Sequence, residues 1–284
     1  MSALKAKIVS MLQNFTYSEN EIAQYILDNM EDVATSSITV LAEKTNTSEA
    51  SINRFCKKLG YKGFNNFKIA LVQERFYQEQ NRYVGHTKQT FIESVNADYT
   101  DLLGNTASLI RENDILQTVH KISTATNVYI LSTYRTKYIG MQLERRLLEL
   151  GIRCRMYCDL TEIRTASVHI EDNDMVLVIS NSILVNDMFV MLRTLKDRGI
   201  FITAFTNYDS SKLPHAADVS IIVSDKIACS NSMVITNDIA FLFAFDLVIG
   251  MLITNNKQYK QKRMETDNVL NYLESADRNL IDIL

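Results

Sequence analysis

Disulfide chemistry is the first thing this sequence lacks. Cys56, Cys154, Cys158 and Cys229 are its only cysteines, too few and too scattered for a disulfide framework, and none shares zinc spacing with histidine. Reduced, half-buried core residues are expected, with no metal and no cofactor. Net charge is also missing: −3 over 284 residues leaves nothing global to attract nucleic acid, so any basic surface must be local. Residues Met1 to Leu12 have no apolar core of a signal peptide, which makes the cytoplasm the expected compartment. The longest apolar run, Ile239 to Ile253, is shorter than the ~20 residues that span a bilayer and is broken by Asp246. It reads as a buried or subunit-pairing helix, not a membrane anchor.

What is present is a pair of short helices around a tight turn between Ile38 and Lys68. In Ser48 to Leu59 the apolar residues Ile52, Phe55, Cys56 and Leu59 recur at i, i+3, i+4 and i+7, one buried stripe. Gly60 marks the helix end. The preceding helix, Ser37 to Lys44, buries Ile38, Leu41 and Ala42, and Thr45-Asn46-Thr47 makes the turn, where Asn tolerates positive φ. Arg54, Lys57, Lys58, Lys62, Lys68 and Arg75 form a run opposed only by Glu74. Such a field suits phosphates, and Ser48, Ser51, Asn53, Arg54, Lys57, Lys58 and Lys62 are the expected DNA contacts. A merely solvated helix face is the competing reading.

Upstream, Ser18-Glu19-Asn20-Glu21 fits a capping box with Tyr17 and Ile22 as its hydrophobic staple, and Ile22, Ile26, Met30 and Val33 continue one apolar stripe. These helices predict an all-α head over residues 1–77. Residues 78–90 are polar and aperiodic, a linker, and residues 91–284 form a second domain. There the runs Val128–Leu131, Met175–Ile179, Ile200–Phe205 and Val219–Val223, with a weaker Cys154–Tyr157, alternate with helical stretches. Short, continuous apolar strands between helices predict a five-stranded parallel sheet in a doubly wound, flavodoxin-like α/β domain. Ligands of such domains bind at the carboxyl ends of strands. The expected anion contacts are Ser132, Thr133, Arg135 and Thr136 after the first strand and Ser180, Asn181 and Ser182 after the third. Simple helix capping explains the same hydroxyls.

The string Thr47-Ser48-Glu49-Ala50-Ser51-Ile52-Asn53-Arg54-Phe55-Cys56-Lys57-Lys58-Leu59-Gly60-Tyr61-Lys62-Gly63-Phe64, with Ile38 to Ala42 before it, closely resembles the amino-terminal helix-turn-helix domain of the RpiR family of bacterial transcriptional regulators. The resemblance implies a carboxy-terminal sugar isomerase (SIS) domain that senses phosphosugars, a double-stranded DNA operator as partner, and a homodimer or higher homo-oligomer. SIS domains usually carry a GxGxS loop and an SxSGxT loop on the sugar phosphate. Here Ser132 and Tyr134 stand where the first loop has glycine, and Thr136 keeps its last hydroxyl. In the second, Ser180 and Ser182 are kept, while Ile183 and Val185 replace the glycine and the final hydroxyl.

Proton transfer beside a carbonyl needs a placed Glu or His. Residues 228–238 hold no Glu, and of four histidines only His215 stands near the sheet's carboxyl edge. A regulator, not an enzyme, is therefore expected. A phosphosugar isomerase with a helical appendage and a protein–protein adaptor remain the alternatives.

Overall fold

The computed structural model describes residues 3–72, 90–181, 186–209 and 215–281. Packing divides the chain into two compact units, Met1–Ile110 with Asn207–Ser211 and Ile222–Ala240, and Arg111–Thr206 with Lys212–Ile221 and Phe241–Leu284. Most of the expected linker, Arg75 and Ser182 lie outside the described residues.

The first unit is helical. Helices α1 (Ala3–Ser10), α2 (Tyr17–Asp28), α3 (Met30–Thr35), α4 (Ile38–Lys44), α5 (Glu49–Lys58) and α6 (residues 64–72) precede α7 (Phe91–Leu109). Leu4, Ile8, Ile22, Ile26, Leu41, Ile52, Phe55 and Phe67 meet in one core, with Phe15 and Phe55 ring centroids 5.0 Å apart. The capping box sits two residues earlier than expected. Thr16 is the N-cap, its hydroxyl accepting from Glu19 N while the Glu19 carboxylate accepts from Thr16 N at 2.8 Å. Thr16-x-x-Glu19 satisfies the same pattern as Ser18-x-x-Glu21, and Tyr17, 81% exposed, staples nothing. The expected single stripe is also broken at Asn29, whose φ of −132° and ψ of 40° end α2 before α3 begins.

Helix α7 packs on α1. Its buried Asp98 accepts from Ser230 N at 3.0 Å, Asn231 N at 2.8 Å and Asn231 Nδ2 at 2.7 Å. That carboxylate tethers the segment 222–240 to this unit by charge-assisted bonds.

The second unit is a doubly wound α/β domain. Strands β1 (Val128–Ser132), β2 (Cys154–Tyr157), β3 (Met175–Ser180), β4 (Phe201–Thr206) and β5 (Val219–Ile222) run in the order β2-β1-β3-β4-β5. The sheet is parallel as expected, with β1 paired to β2 and β3, and β3 to β4. Central β3 is buried from Met175 to Ile179, which explains its unbroken apolar run. Helices α8 (Glu112–Thr124), α9 (Lys137–Leu148), α10 (Leu160–His169), α11 (Asn186–Asp197), α12 (Asp238–Asn255) and α13 (Lys257–Ile281) complete the domain.

By length and composition α12 could cross a bilayer. Its Phe241, Ala244, Phe245, Val248 and Leu252 are nonetheless buried. Phe245 meets Phe205 of β4 edge-on at 5.1 Å, and Asp246 pairs with Arg146 of α9 at 2.6 Å. That is how a helix packed on a sheet looks.

Candidate nucleic-acid interface and effector site

Helix α5 is built to show one face. Ser48 caps it, accepting from Ser51 N at 3.2 Å, and Ile52, Phe55 and Cys56 are wholly buried. Asn46 at φ 48° makes the turn before it, and Gly60 at φ 86° closes it, both as the sequence predicts. Thr47 N donates to Ala42 O at 2.9 Å, and the Thr39 hydroxyl donates to Glu49 Oε1 at 2.6 Å, so α4 and α5 are locked together.

The seven expected contacts separate into two groups. Ser48, Arg54, Lys57 and Lys62 are exposed and Ser51 is half-buried. Arg54 Nη2 donates to Ser51 Oγ at 3.1 Å, holding the guanidinium along the outer face of α5. Asn53 and Lys58 have duties inside the head. Asn53 Oδ1 accepts from Phe64 N at 3.0 Å, capping α6 from a distance. Lys58 Nζ binds Glu19 Oε2 at 2.7 Å and Asn14 O at 2.8 Å and lies 5.4 Å from the Phe15 ring centroid. Partial burial works against the Glu19 charge, but the Lys58 ammonium and the Thr16 amide together hold its carboxyl below the ordinary value of 4.5. Lys68, part of the expected cationic run, donates to Thr35 O and Ser36 O at the end of α3. No pattern in the sequence foretells these long-range partners.

Asn14 does more than accept from Lys58. Its side-chain amide donates to Asp209 O, and Asp209 N donates to Ser10 O at 2.8 Å. The segment 207–209 follows directly on Thr206, the register partner of Ser180. Within the first unit, Asn14 therefore joins the segment 207–209 to α5.

In the second unit the strand order reverses between β1 and β3, the place where doubly wound sheets hold ligands. The loop after β1 closes on itself there. Ser132 Oγ lies 2.7 Å from Thr136 O, and Thr136 Oγ1 reaches Ile179 O at 2.9 Å. Both residues are buried, and their hydroxyls serve the loop. Gly140 explains the tightness, because a Cβ there would stand 2.7 Å from Ser132 Cβ and 2.8 Å from Met156 Sδ. Of the expected anion contacts, Arg135 is exposed and Thr133, Ser180 and Asn181 are half-buried. Asn181 Oδ1 is buried without a hydrogen-bond partner among the described residues.

Burial pushes the thiols of Cys56, Cys154 and Cys229 up to about 12, so each stays protonated and inert. Among the described residues no cluster of His, Cys, Asp or Glu could hold a metal ion.

Residues 2–78 match the helix-turn-helix domain of the rpiR family, and the chain is 26% identical over 284 residues to an HTH-type transcriptional regulator of Caldanaerobacter subterraneus, with 99% of this chain and 98% of that one aligned. Residues 2–78 are thus a helix-turn-helix domain of the rpiR family. Escherichia coli K12 RpiR is 24% identical over 216 residues, 74% of this chain and 72% of the relative. Vibrio vulnificus NanR, solved in complex with ManNAc-6P, matches at a TM-score of 0.59 and 23% identity over 95% of this chain and 98% of NanR. The sugar isomerase domain of an RpiR transcription factor from Sphaerobacter thermophilus matches at 0.54 and 17% identity, covering 64% of this chain and 99% of its own. These two likenesses establish the fold.

Proposed function

We propose that this RpiR-family chain reads a DNA operator with the outer face of α5 and adjusts its grip when a sugar phosphate or other small anion binds at the strand ends of its SIS domain. Residues 1–77 form the reading head, 78–90 the linker and 91–284 the sensing body. It acts in the cytoplasm on genes of carbohydrate metabolism and catalyses no reaction itself. The observation that carries the reading is α5, where Ile52, Phe55 and Cys56 anchor one side and Ser51, Arg54 and Lys57 lie along the other. NanR's complex with ManNAc-6P supports a phosphosugar as the class of effector. Arg135 and the amide of Asn181 are the groups best placed for it, while the hydroxyls of Ser132 and Thr136 stabilise the loop beneath.

Lys58 tied to Asn14 and Glu19 is withheld from phosphate, and an arrangement of the head that breaks these bonds releases it. A ligand alters DNA affinity only by its differential preference for the two arrangements.

The test is a salt-dependent DNA-binding titration. Arg54→Ala costs roughly 1–3 kcal/mol on the operator and relaxes sequence preference if the guanidinium reads a base. Lys57→Ala weakens all sequences alike and lowers the salt slope by about one unit. Unchanged binding in both variants sinks the proposed reading face.

A further inference from the structure

Glu49 is a lone acid in a basic stretch. Between Lys44 and Gln73 the sequence holds no other Asp or Glu, while Arg54, Lys57, Lys58, Lys62 and Lys68 all follow it. It is the first residue of α5, in the turn that a helix-turn-helix protein presents to base edges. Its side chain is exposed, and so is that of Thr39 on α4. Among the described residues its partner is the Thr39 hydroxyl, which donates to Oε1 at 2.6 Å, and it pairs with no cation. That bond fixes the side chain across the turn between the two helices. It uses one oxygen and leaves Oε2 with its acceptor capacity.

Beside a duplex, an acid at this place needs a reason. Helix N-termini ordinarily receive phosphate, and a carboxylate there repels it. The helix dipole favours an acid in the first turn, but any Asp or Glu of that turn satisfies it without a fixed geometry. A held, acceptor-only group has a preference in the major groove. Cytosine N4 and adenine N6 are the donors displayed there, whereas guanine O6 and N7 and thymine O4 are acceptors that repel it. Adenine sets its N7 acceptor beside the donor, so cytosine is the base that meets a carboxylate without penalty.

We infer that Glu49 is a specificity-determining residue of the reading face: it accepts a hydrogen bond from the N4 amine of one operator cytosine and excludes other bases by charge, with Thr39 as its positioning residue. The inference rests on the proposed use of α5 to read DNA. Arg54 and Lys57 supply attraction; Glu49 supplies the repulsive element by which wrong sequences are rejected.

The test is selection of duplexes with a randomised core by the full-length protein, followed by affinity measurements on the selected sites. Wild type selects cytosine at one position. Glu49→Ala loses the discrimination at that position, roughly 5- to 150-fold, keeps it elsewhere, and binds unselected duplexes more tightly because a charge that repels phosphate is gone. Glu49→Gln, whose amide pairs with adenine N6 and N7, moves the preference at that position from cytosine to adenine. Thr39→Val blunts the cytosine preference without moving it. A role confined to bracing α4 against α5 gives the opposite result: lower melting temperatures for Glu49→Ala and Thr39→Val with every base preference intact. Base preferences unchanged in Glu49→Ala and Glu49→Gln, while Arg54→Ala still weakens binding, overturn this inference alone. Binding unchanged in Arg54→Ala and Lys57→Ala overturns the reading face and this inference with it.

Discussion

Lys58 illustrates what single residues can and cannot announce. Its position on α5 makes it a member of the cationic run, but its ammonium is held between Glu19 and Asn14 O. Spacing along one helix shows which residues share a face; it cannot show that a neighbour 39 residues away in sequence reaches for one of them. Asn53 is the same case, a polar residue whose oxygen is committed to the start of α6. The Glu19–Lys58 pair also carries a pH signature. The Glu19 carboxyl titrates below its ordinary value in the folded chain, so its stabilisation is fully present above pH 4.5 and is lost as pH falls through the depressed value. Because Lys58 is about one-third exposed, the pair is expected to contribute roughly 0.3–1 kcal/mol. Urea unfolding of wild type and Lys58→Met should therefore differ by that amount near neutrality and converge in acid. A gap that persists at low pH would assign the effect to packing on Phe15 instead.

At the scale of elements, the reading head was the most legible part. The i, i+3, i+4 stripe, the Asn46 turn and the Gly60 stop are local signals, and each holds because no distant contact overrides it. The five strands were legible for the same reason, as short apolar runs between helices. The start of α2 was misplaced because two overlapping capping boxes fit the sequence, and the chain uses the one at Thr16. Helix α13 went unread although its signals were there: no glycine or proline from Lys257 to Ile281, and i, i+4 pairs such as Arg263 with Asp267. The β1 loop was read as anion contacts or simple helix caps, and its closure depends on a contact to Ile179 that no local pattern encodes. Gly140 makes that closure possible. Gly140→Ala is expected to cost ~1–3 kcal/mol by overpacking against Ser132 and Met156, visible as a lower urea midpoint with an unchanged slope. An unaltered midpoint would mean that α9 yields freely.

For the whole molecule, the fold is firm while the effector is the property that sequence reveals least. Thermal melting of the full chain against ManNAc-6P, other sugar phosphates and inorganic phosphate addresses this directly. A true effector at a hundred times its Kd adds about 2.7 kcal/mol of stability, and Arg135→Ala should abolish the shift if that guanidinium holds the anion. A shift that survives Arg135→Ala moves the site elsewhere, and no shift with any of these anions removes the phosphosugar proposal.

The hydrogen bonds of Asn14 carry one last implication. Its main chain meets Lys58 of α5 and its side chain meets Asp209, so one residue bonds both. Linkage demands that if a metabolite changes the affinity for the operator by some factor, the operator changes the affinity for the metabolite by the same factor. A promoter-bound copy and a free copy of this protein would then report different metabolite concentrations, and the dose response of the regulated gene would follow the bound one.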